Sequence, residues 1–447
     1  MPKRLGTATQ ARTLLMLMAL CLAAHQALDL LRRPYGFEPE SFRLSALLVL
    51  GSMVLAAVLA LRGIERERTS LFQKLLERPT RNAKILVAIC FALGALAAAL
   101  APQWNDERFN LEAAQVLIDH GLGQYLANYG SLSDWLSPHH PPLLATIYGL
   151  LFKLSGSSLF AGRLLGLAFF CAAQWMTFAL GHELYDERSG LIAAACLPCF
   201  PLVIFEAPTA LFDMPFLFFF LAALLYFKRT LDRGGYGNAI TAALAIGLGG
   251  LTRYNMLFIY PILLAMLVRY GKPGAWRDRR VWLAALGPVL VAAPWIAYLA
   301  LTEVGRMQVQ RLASYLLVAF VPEGGPQYVR EALLPVLPVH LGMFMVPPLV
   351  YGCWISVRQA RSNTERRRAT SLIFWWIAIL LVLTGLTIPH VRYLLPAFPA
   401  LALAMARGLL NLGPHAGSVY LLALFCSLSS ALVYDLLSAF GLVYVFY

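Results

Sequence analysis

Charged residues are scarce in this chain. Only 13% of its 447 residues are Asp, Glu, Lys or Arg, whereas 60% are hydrophobic and the mean hydropathy is +0.67. Soluble proteins have about 25% charged and roughly 45–50% apolar residues, so an ordinary soluble protein is excluded. A disordered or collagen-like chain is excluded as well. Since about 20 apolar residues cross a bilayer, the composition predicts one polytopic membrane domain.

The chain also lacks nucleotide-binding motifs, and it has no cysteine in a polar loop. All seven cysteines lie in apolar runs, which does not indicate a disulfide framework. The sequence has no phosphate-binding loop, no Gly-x-Gly-x-x-Gly after a strand, and no Asp-x-Asp motif. These absences argue against a cytosolic nucleotide substrate.

Apolar runs bounded by charged or turn residues predict about thirteen transmembrane helices in an all-α fold. The first run is long enough, and followed closely enough by a second, to favour a retained anchor over a cleaved signal sequence. The predicted spans are 13–31, 43–61, 84–101, 160–181, 189–206, 213–228, 237–251, 255–270, 281–301, 336–357, 371–388, 393–410 and 419–440.

The basic residues predict how these spans are oriented. A net charge of +13 on a soluble chain would suggest nucleic acid, but here the positive-inside rule explains it and no nucleic-acid partner is expected. The short apolar stretch Pro141 to Leu154 is predicted to be a re-entrant or juxtamembrane helix that does not cross. If this stretch does not cross the membrane, 25 of the 36 basic residues lie on the same face, which is then the cytoplasmic one. Loops 102–141 and 302–335 and turns 207–213, 252–254 and 389–392 then meet on the extracytoplasmic face of the plasma (inner) membrane.

Two carboxylates open the amphipathic segment that follows the third predicted span. Asp106 and Glu107 come directly after Asn105. One interpretation is a helix start, with Asn105 as N-cap and both acids in the first turn. The other is a carboxylate held at the membrane surface as a general base. The two interpretations are compatible.

Two histidines, His139 and His140, precede Pro141 and Pro142, which suit the start of a helix. The histidines could donate hydrogen bonds to a phosphate. With Asp106 and Glu107 they could also bind a divalent metal, but their spacing matches no standard zinc pattern. We therefore assign no metal ligand and no cofactor.

Further ionisable residues lie at the predicted outer ends of spans. Placing an ionisable side chain near membrane depth is costly, so such residues by default mark a functional site or a network of paired charges. A single arginine there is explained by snorkelling to the interface. Several arginines opposite carboxylates instead favour an anion site. The group consists of Arg163, Glu206, Asp213, Arg253, His390 and Arg392.

The order of these motifs resembles the GT-C superfamily of polyprenyl-phosphate-dependent glycosyltransferases, in the branch of protein O-mannosyltransferases and lipid A aminoarabinose transferases. The similarity covers roughly 84–410 and so separates two N-terminal helices with a basic loop (1–83) from a catalytic membrane core (84–410) and a last helix (411–447). The motifs are Asp106-Glu107, His140-Pro141-Pro142-Leu143, Gly156-Ser157-Ser158 with Arg163-Leu164-Leu165, Leu184 to Gly190, Leu211 to Met214, Gly250 to Arg253, and Arg392 to Pro396.

The resemblance implies an inverting sugar transfer from a polyprenyl-phosphate-linked donor to an acceptor hydroxyl. Asp106 would be the base, and Glu107 would orient it or bind the sugar. The substrate-binding set would be His139, His140, Asp213, Arg253, His390 and Arg392, with the arginines and His140 on the phosphate and Asp213 near the sugar.

The sequence departs from the aminoarabinose branch in ways that leave the acceptor open. The aminoarabinose branch looks like Lys-Pro-Pro-Leu at the motif where this chain has His140 in place of the Lys. Arg253 likewise takes the place of the Lys that usually follows Leu-Thr. The chain ends soon after its last predicted span, so the soluble domains of the better-known branches are not expected. A lipid, glycan or protein acceptor remains open. A transporter or lipid flippase of envelope glycoconjugates, or a non-catalytic scaffold, is the alternative function.

Overall fold

The computed structural model describes residues 9–21, 74–100, 105–127, 140–318, 341–386, 391–424 and 426–427. Within these ranges the chain is helical and has no strand, which confirms the all-α prediction. The predicted span 43–61 lies outside them. The α-helices used below are α1 Thr9–Cys21, α2 Pro79–Leu100, α3 Asn105–Ala127, α4 Leu143–Ser155, α5 Leu159–Leu184, α6 Glu187–Cys196, α7 Pro201–Glu206, α8 Asp213–Arg233, α9 Tyr236–Gly250, α10 Ile259–Tyr270, α11 Arg279–Leu301, α12 Glu303–Val318, α13 Val346–Ala360, α14 Thr364–Leu386 and α15 Phe398–Leu412.

Among the described residues, six helical segments are long and apolar enough to cross a membrane: α2, α5, α8, α11, α14 and the segment Val391–Leu412 that contains α15. Of these, α8 and Val391–Leu412 are largely buried inside the protein, whereas α2 and α11 expose most of their apolar surface. Leu93, Leu96 and Leu100 of α2, for example, are more than half exposed. Exposed aliphatic surface on a spanning helix suits contact with lipid chains.

The described helices form one continuous packed body. Neighbouring pairs run in the order α11, α9, α8, α5, α6, α15 and α13, with α2 against α5 and α4 against α3. Glycines allow two of the closest contacts: a Cβ at Gly181 would lie 2.6 Å from the Cα of Gly190, and one at Gly408 would lie 2.8 Å from the Cα of Gly352. Small residues at such crossings let helix backbones approach closely, as is common between helices in membranes.

Prolines interrupt two of the predicted helices. The stretch 189–206 is not one helix, because α6 ends at Cys196, a 3-10 turn Leu197–Cys199 follows, and α7 starts at Pro201. Pro198 and Pro201 lack the N–H that a continuous helix would need. The prediction of one uninterrupted helix was therefore wrong here. Likewise, Val391–Ala397 is a 3-10 segment that leads into α15.

The helix ends separate two groups of charged residues. Arg163 lies near the start of α5 and Asp213 at the start of α8, while Arg253 follows the end of α9. At the other ends of α5 and α8, Arg229 Nε donates to Glu183 Oε1 at 3.0 Å. Because α5 and α8 run in the same direction and α9 returns towards the start of α8, the first group lies at one end of the packed body and the second group at the opposite end.

Candidate active site

The adjacent carboxylates of Asp106 and Glu107 have different surroundings. Glu107 is fully buried and accepts from Arg163 Nε at 2.9 Å, from Arg163 Nη2 at 2.7 Å and from the Ala210 backbone N–H at 2.8 Å. Asp106 is 22% exposed, and its Oδ2 accepts from Arg392 Nη1 at 2.8 Å. Successive residues of a helix point about 100° apart, which directs the two side chains to different neighbours.

The Glu107–Arg163 pair holds several elements together. Arg163 Nη1 also donates to the Ala98 carbonyl at 2.9 Å, which ties the end of α2 to the starts of α3 and α5. Asn110 Nδ2 donates to the Ala210 carbonyl at 3.0 Å, so both polar groups of that backbone unit are bonded to α3. These contacts fix the buried bend 207–212, which leads into α8.

Asp213 and Arg253 form a second buried ion pair. Arg253 Nη1 donates to Asp213 Oδ1 at 2.6 Å, and the two side chains are 1% and 2% exposed. The backbone is extended at Arg253, after α9 ends and before the next 3-10 turn begins. The guanidinium lies over the ring of Tyr393, 4.7 Å from its centroid, which fixes its plane.

Arg392 brings the last described span into the same site. It lies in the 3-10 segment before α15, is 5% exposed, and pairs with Asp106 across 286 residues of sequence. Glu206, fully buried at the end of α7, lies within electrostatic reach of all four of these charged residues. We call Asp106, Glu206, Asp213, Arg253 and Arg392 the carboxylate–arginine cluster. It contains three acids and two arginines.

His140 and Tyr148 line the site from the side of α4. The His140 ring is buried and stacks on Phe212, with 4.0 Å between ring centroids and 5° between planes. The Tyr148 hydroxyl is buried close to Glu107 and Asp213. Burial, with these two carboxylates nearby, raises the pKa of Tyr148, so its hydroxyl is a neutral donor. Sequence reasoning included Phe212 and Tyr393 only as members of the motifs Leu211 to Met214 and Arg392 to Pro396, and it missed Tyr148.

The structure brings together five of the residues predicted from sequence. Asp106, Glu206, Asp213, Arg253 and Arg392 form the carboxylate–arginine cluster, and Glu107 and His140 lie beside it in their own contacts. His139 and His390 lie outside the described residues. In the part of the chain that is described, no three His, Cys, Asp or Glu side chains are grouped closely enough to hold a metal ion.

Comparison with known proteins identifies the fold. Residues 139–298 match the family described as dolichyl-phosphate-mannose-protein mannosyltransferase. The crystal structure of ArnT from Cupriavidus metallidurans bound to undecaprenyl phosphate is 16% identical with a TM-score of 0.54, over 73% of this chain and 59% of that chain. The apo crystal structure of the same ArnT is also 16% identical, with a TM-score of 0.54, over 74% of this chain and 60% of that chain. Archaeal oligosaccharyltransferase AglB from Archaeoglobus fulgidus, in complex with an inhibitory peptide and a dolichol-phosphate, is 12% identical, with a TM-score of 0.48, over 83% of this chain and 56% of that chain.

The ArnT similarity shows that this integral membrane protein has a GT-C fold, and the resemblance predicted from the order of its motifs is confirmed at that level. The chain spans about 60% of the length of the ArnT structures that it matches. No curated protein sequence matches the chain.

Proposed function

We propose that this chain is a membrane glycosyltransferase that moves a sugar from a polyprenyl-phosphate-linked donor to an acceptor hydroxyl. The observation that carries the proposal is the carboxylate–arginine cluster, in which an accessible carboxylate lies beside buried arginines. Glycosyl transfer needs this combination, because a base must take the acceptor proton while cations stabilise the departing phosphate. The GT-C fold, and the undecaprenyl phosphate in one ArnT structure, support a lipid-linked donor.

Asp106 is the proposed general base. It is the most exposed carboxylate of the cluster, and its remaining oxygen can accept a proton from an incoming hydroxyl. The acceptor oxygen then bonds to the anomeric carbon as the bond from that carbon to the phosphate oxygen breaks, and its electron pair leaves with the phosphate. One displacement of this kind inverts the anomeric configuration.

Arg253 is the proposed ligand for the leaving phosphate. Its Nη1 is used by Asp213, whereas its buried Nε and Nη2 have no hydrogen-bond partner among the described residues. Two N–H groups of one guanidinium match two oxygens of a phosphate. A phosphate that gains charge as it departs would be stabilised by this fixed, desolvated cation.

Arg392 and Glu107 have supporting roles in this proposal. Arg392 bonds to Asp106 and thereby fixes the plane of the proposed base's carboxylate. Its other guanidinium donors can reach towards the phosphate, so one side chain can couple the base to the leaving group. Glu107 belongs to the buried pair with Arg163 and thereby positions the start of α3, which fits the orienting role rather than sugar contact.

The reaction is proposed for the extracytoplasmic face of the plasma (inner) membrane. The support is the separation of charges described above: the basic helix ends favour the cytoplasm, and the cluster lies at the opposite ends. This orientation corresponds to about thirteen spans with α4 as a helix that does not cross. His140, stacked on Phe212 beside the start of α4, would then border the donor site from the outer face.

The test is replacement of the proposed base. Asp106→Asn is nearly isosteric and removes basicity, so transfer should fall by about 10²- to 10⁴-fold while membrane insertion is kept. Asp119→Asn, an exposed carboxylate on the same helix, is the matched control and should transfer normally. Mass spectrometry of envelope lipids, glycans and proteins from a complemented deletion strain measures the transferred sugar and identifies the acceptor.

Two results would contradict the assignment. A sugar-sized mass increment restored equally by wild type and Asp106→Asn would remove Asp106 as the base. If wild type restored no increment in any fraction, the proposed transferase activity would be wrong and a transporter or scaffold would be favoured.

A further inference from the structure

The carboxylate–arginine cluster contains buried polar atoms without partners. Among the described residues, Glu206 Oε1 and Oε2, Asp213 Oδ2, and Arg253 Nε and Nη2 make no hydrogen bond. All three side chains are at most 2% exposed. Buried polar groups in proteins are almost always bonded, so several such atoms in one place need an explanation.

Glu206 is the most unusual of these residues. Both of its oxygens are unpartnered at zero exposure, and it lies near two other acids. By contrast, the equally buried carboxylate of Glu107 accepts three hydrogen bonds. The fold can therefore satisfy a buried carboxylate at this end of the molecule, and yet it leaves Glu206 open.

The charge balance indicates that Glu206 is neutral. The pairs Asp106–Arg392 and Asp213–Arg253 already cancel within the cluster. An additional buried carboxylate with no bonded partner would lose its hydration with nothing in exchange, so the protonated form is favoured. A neutral carboxylic acid offers one O–H donor and acceptor oxygens in the same group.

The chemistry of these open atoms fits a sugar ring. A sugar hydroxyl can donate to a carboxyl oxygen and accept from a neighbouring O–H, so it complements Glu206 and Asp213 together. The proposed function puts the donor phosphate on Arg253, and the first sugar carbon is attached to that phosphate. The sugar hydroxyls of a bound donor would therefore lie beside Glu206 and Asp213.

We propose that Glu206 binds a ring hydroxyl of the donor sugar and selects which sugar the enzyme accepts. This inference rests on the proposed function. Loss of a buried group that bonds a substrate hydroxyl leaves that hydroxyl desolvated and unpaired, so sugar-dependent affinity should fall about 10- to 100-fold. Affinity for the lipid phosphate without sugar should be unchanged, because Arg253 is untouched.

The experiment compares two lipids on the purified full-length chain in lipid nanodiscs. Binding of undecaprenyl phosphate and of undecaprenyl-phosphate mannose is measured for wild type, Glu206→Met, Glu206→Gln and Arg253→Gln, and is then repeated with the glucose and arabinose lipids. Wild type should bind at least one sugar lipid more tightly than bare undecaprenyl phosphate. Glu206→Met should remove that difference, and Glu206→Gln, a neutral isostere, should keep most of it. Arg253→Gln should weaken the binding of all of these lipids, with and without sugar.

The outcomes separate this inference from the proposed function. If Glu206→Met weakens bare and sugar-carrying lipid equally, or lowers only thermal stability, Glu206 is structural and the inference is overturned. The same holds if wild type binds bare undecaprenyl phosphate as tightly as every sugar lipid, although the proposed donor class would survive. If wild type binds no lipid of the set, both are overturned. If Glu206→Met does not fold, Glu206→Asp serves in its place. Its side chain is one methylene shorter, and it should show the same selective loss of affinity for the sugar-carrying lipids.

Discussion

The Glu107–Arg163 pair gives the sharpest stability prediction. Both side chains are at most 2% exposed, and the carboxylate accepts two bonds from the guanidinium and one from the Ala210 backbone. Glu107→Gln removes the charge and leaves the Arg163 guanidinium buried opposite a neutral amide, whose NH₂ group cannot accept. Breaking one side of a buried pair costs about 3–5 kcal/mol, because the other charge stays desolvated.

The expected change in melting temperature follows from chain length. With about 2.1 cal/mol/K of unfolding entropy per residue, a chain of 447 residues loses roughly 1 °C for each kcal/mol. Glu107→Gln should therefore lower Tm by about 3–5 °C, and by more if the spanning helices stay helical when the protein denatures. Thermal denaturation of the detergent-solubilised protein, followed by intrinsic fluorescence, measures this shift.

A matched control and a double variant make the test specific. Glu112→Gln changes an exposed glutamate on the same helix that pairs with the exposed Arg108, and its Tm should match wild type. Arg163→Met combined with Glu107→Gln removes both charges and should recover part of the lost stability. If Glu107→Gln has the same Tm as wild type but a much lower transfer rate per folded molecule, Glu107 acts in the reaction and the structural account is refuted.

Two further predictions concern packing at opposite ends of the molecule. Gly166→Ala should destabilise the protein, because its Cβ would lie 2.1 Å from the Thr209 carbonyl oxygen in the bend before α8; Gly123→Ala, with no atom within 4 Å, should match wild type in the same melting assay. Equal melting of both variants would contradict the close contact. Arg407→Met should lower Tm by about 1–3 °C, because its guanidinium bonds to Ser189, Asp186 and Gln359. It should leave transfer per folded molecule unchanged, because Arg407 lies in the second half of α15, whereas Arg392, the partner of the proposed base, precedes that helix. Loss of transfer without loss of stability would contradict this, and Arg361→Met, at an exposed arginine, is the control.

Hydropathy predicted most of the described helices but not their interruptions. Apolar runs mark α5 and α11 to within three residues, because length and lipid compatibility depend on local composition. The helices α8 and α14 extend further, to Arg233 and back to Thr364, because their charged ends lie outside the apolar runs. The break in 189–206 depends on prolines whose effect a running average of hydropathy does not register. That break matters for the site, because it precedes α7, the short helix that ends at Glu206 and leads into the bend whose Ala210 N–H bonds to Glu107.

Motif order predicted which charged residues meet, but not how they pair. Asp106, Asp213, Arg253 and Arg392 were each expected on one face, and the structure brings them into one cluster. The sequence could not show that Arg392 bonds to Asp106, since partner choice depends on helix rotation and crossing. It also could not separate Glu107 from Asp106, because only the buried Arg163 makes that distinction.

The contact between Asp106 and Arg392 has a consequence for synthesis. A membrane chain is inserted from its N-terminus, and these two residues are 286 positions apart. The pairs Glu107–Arg163 and Asp213–Arg253 can form when little more than half of the chain has emerged. The proposed base acquires its arginine only after residue 392 has been translated, so a nascent chain can hold a stable helical frame before Asp106 has its partner. Activity would then report that the segment Val391–Leu412 has been inserted correctly.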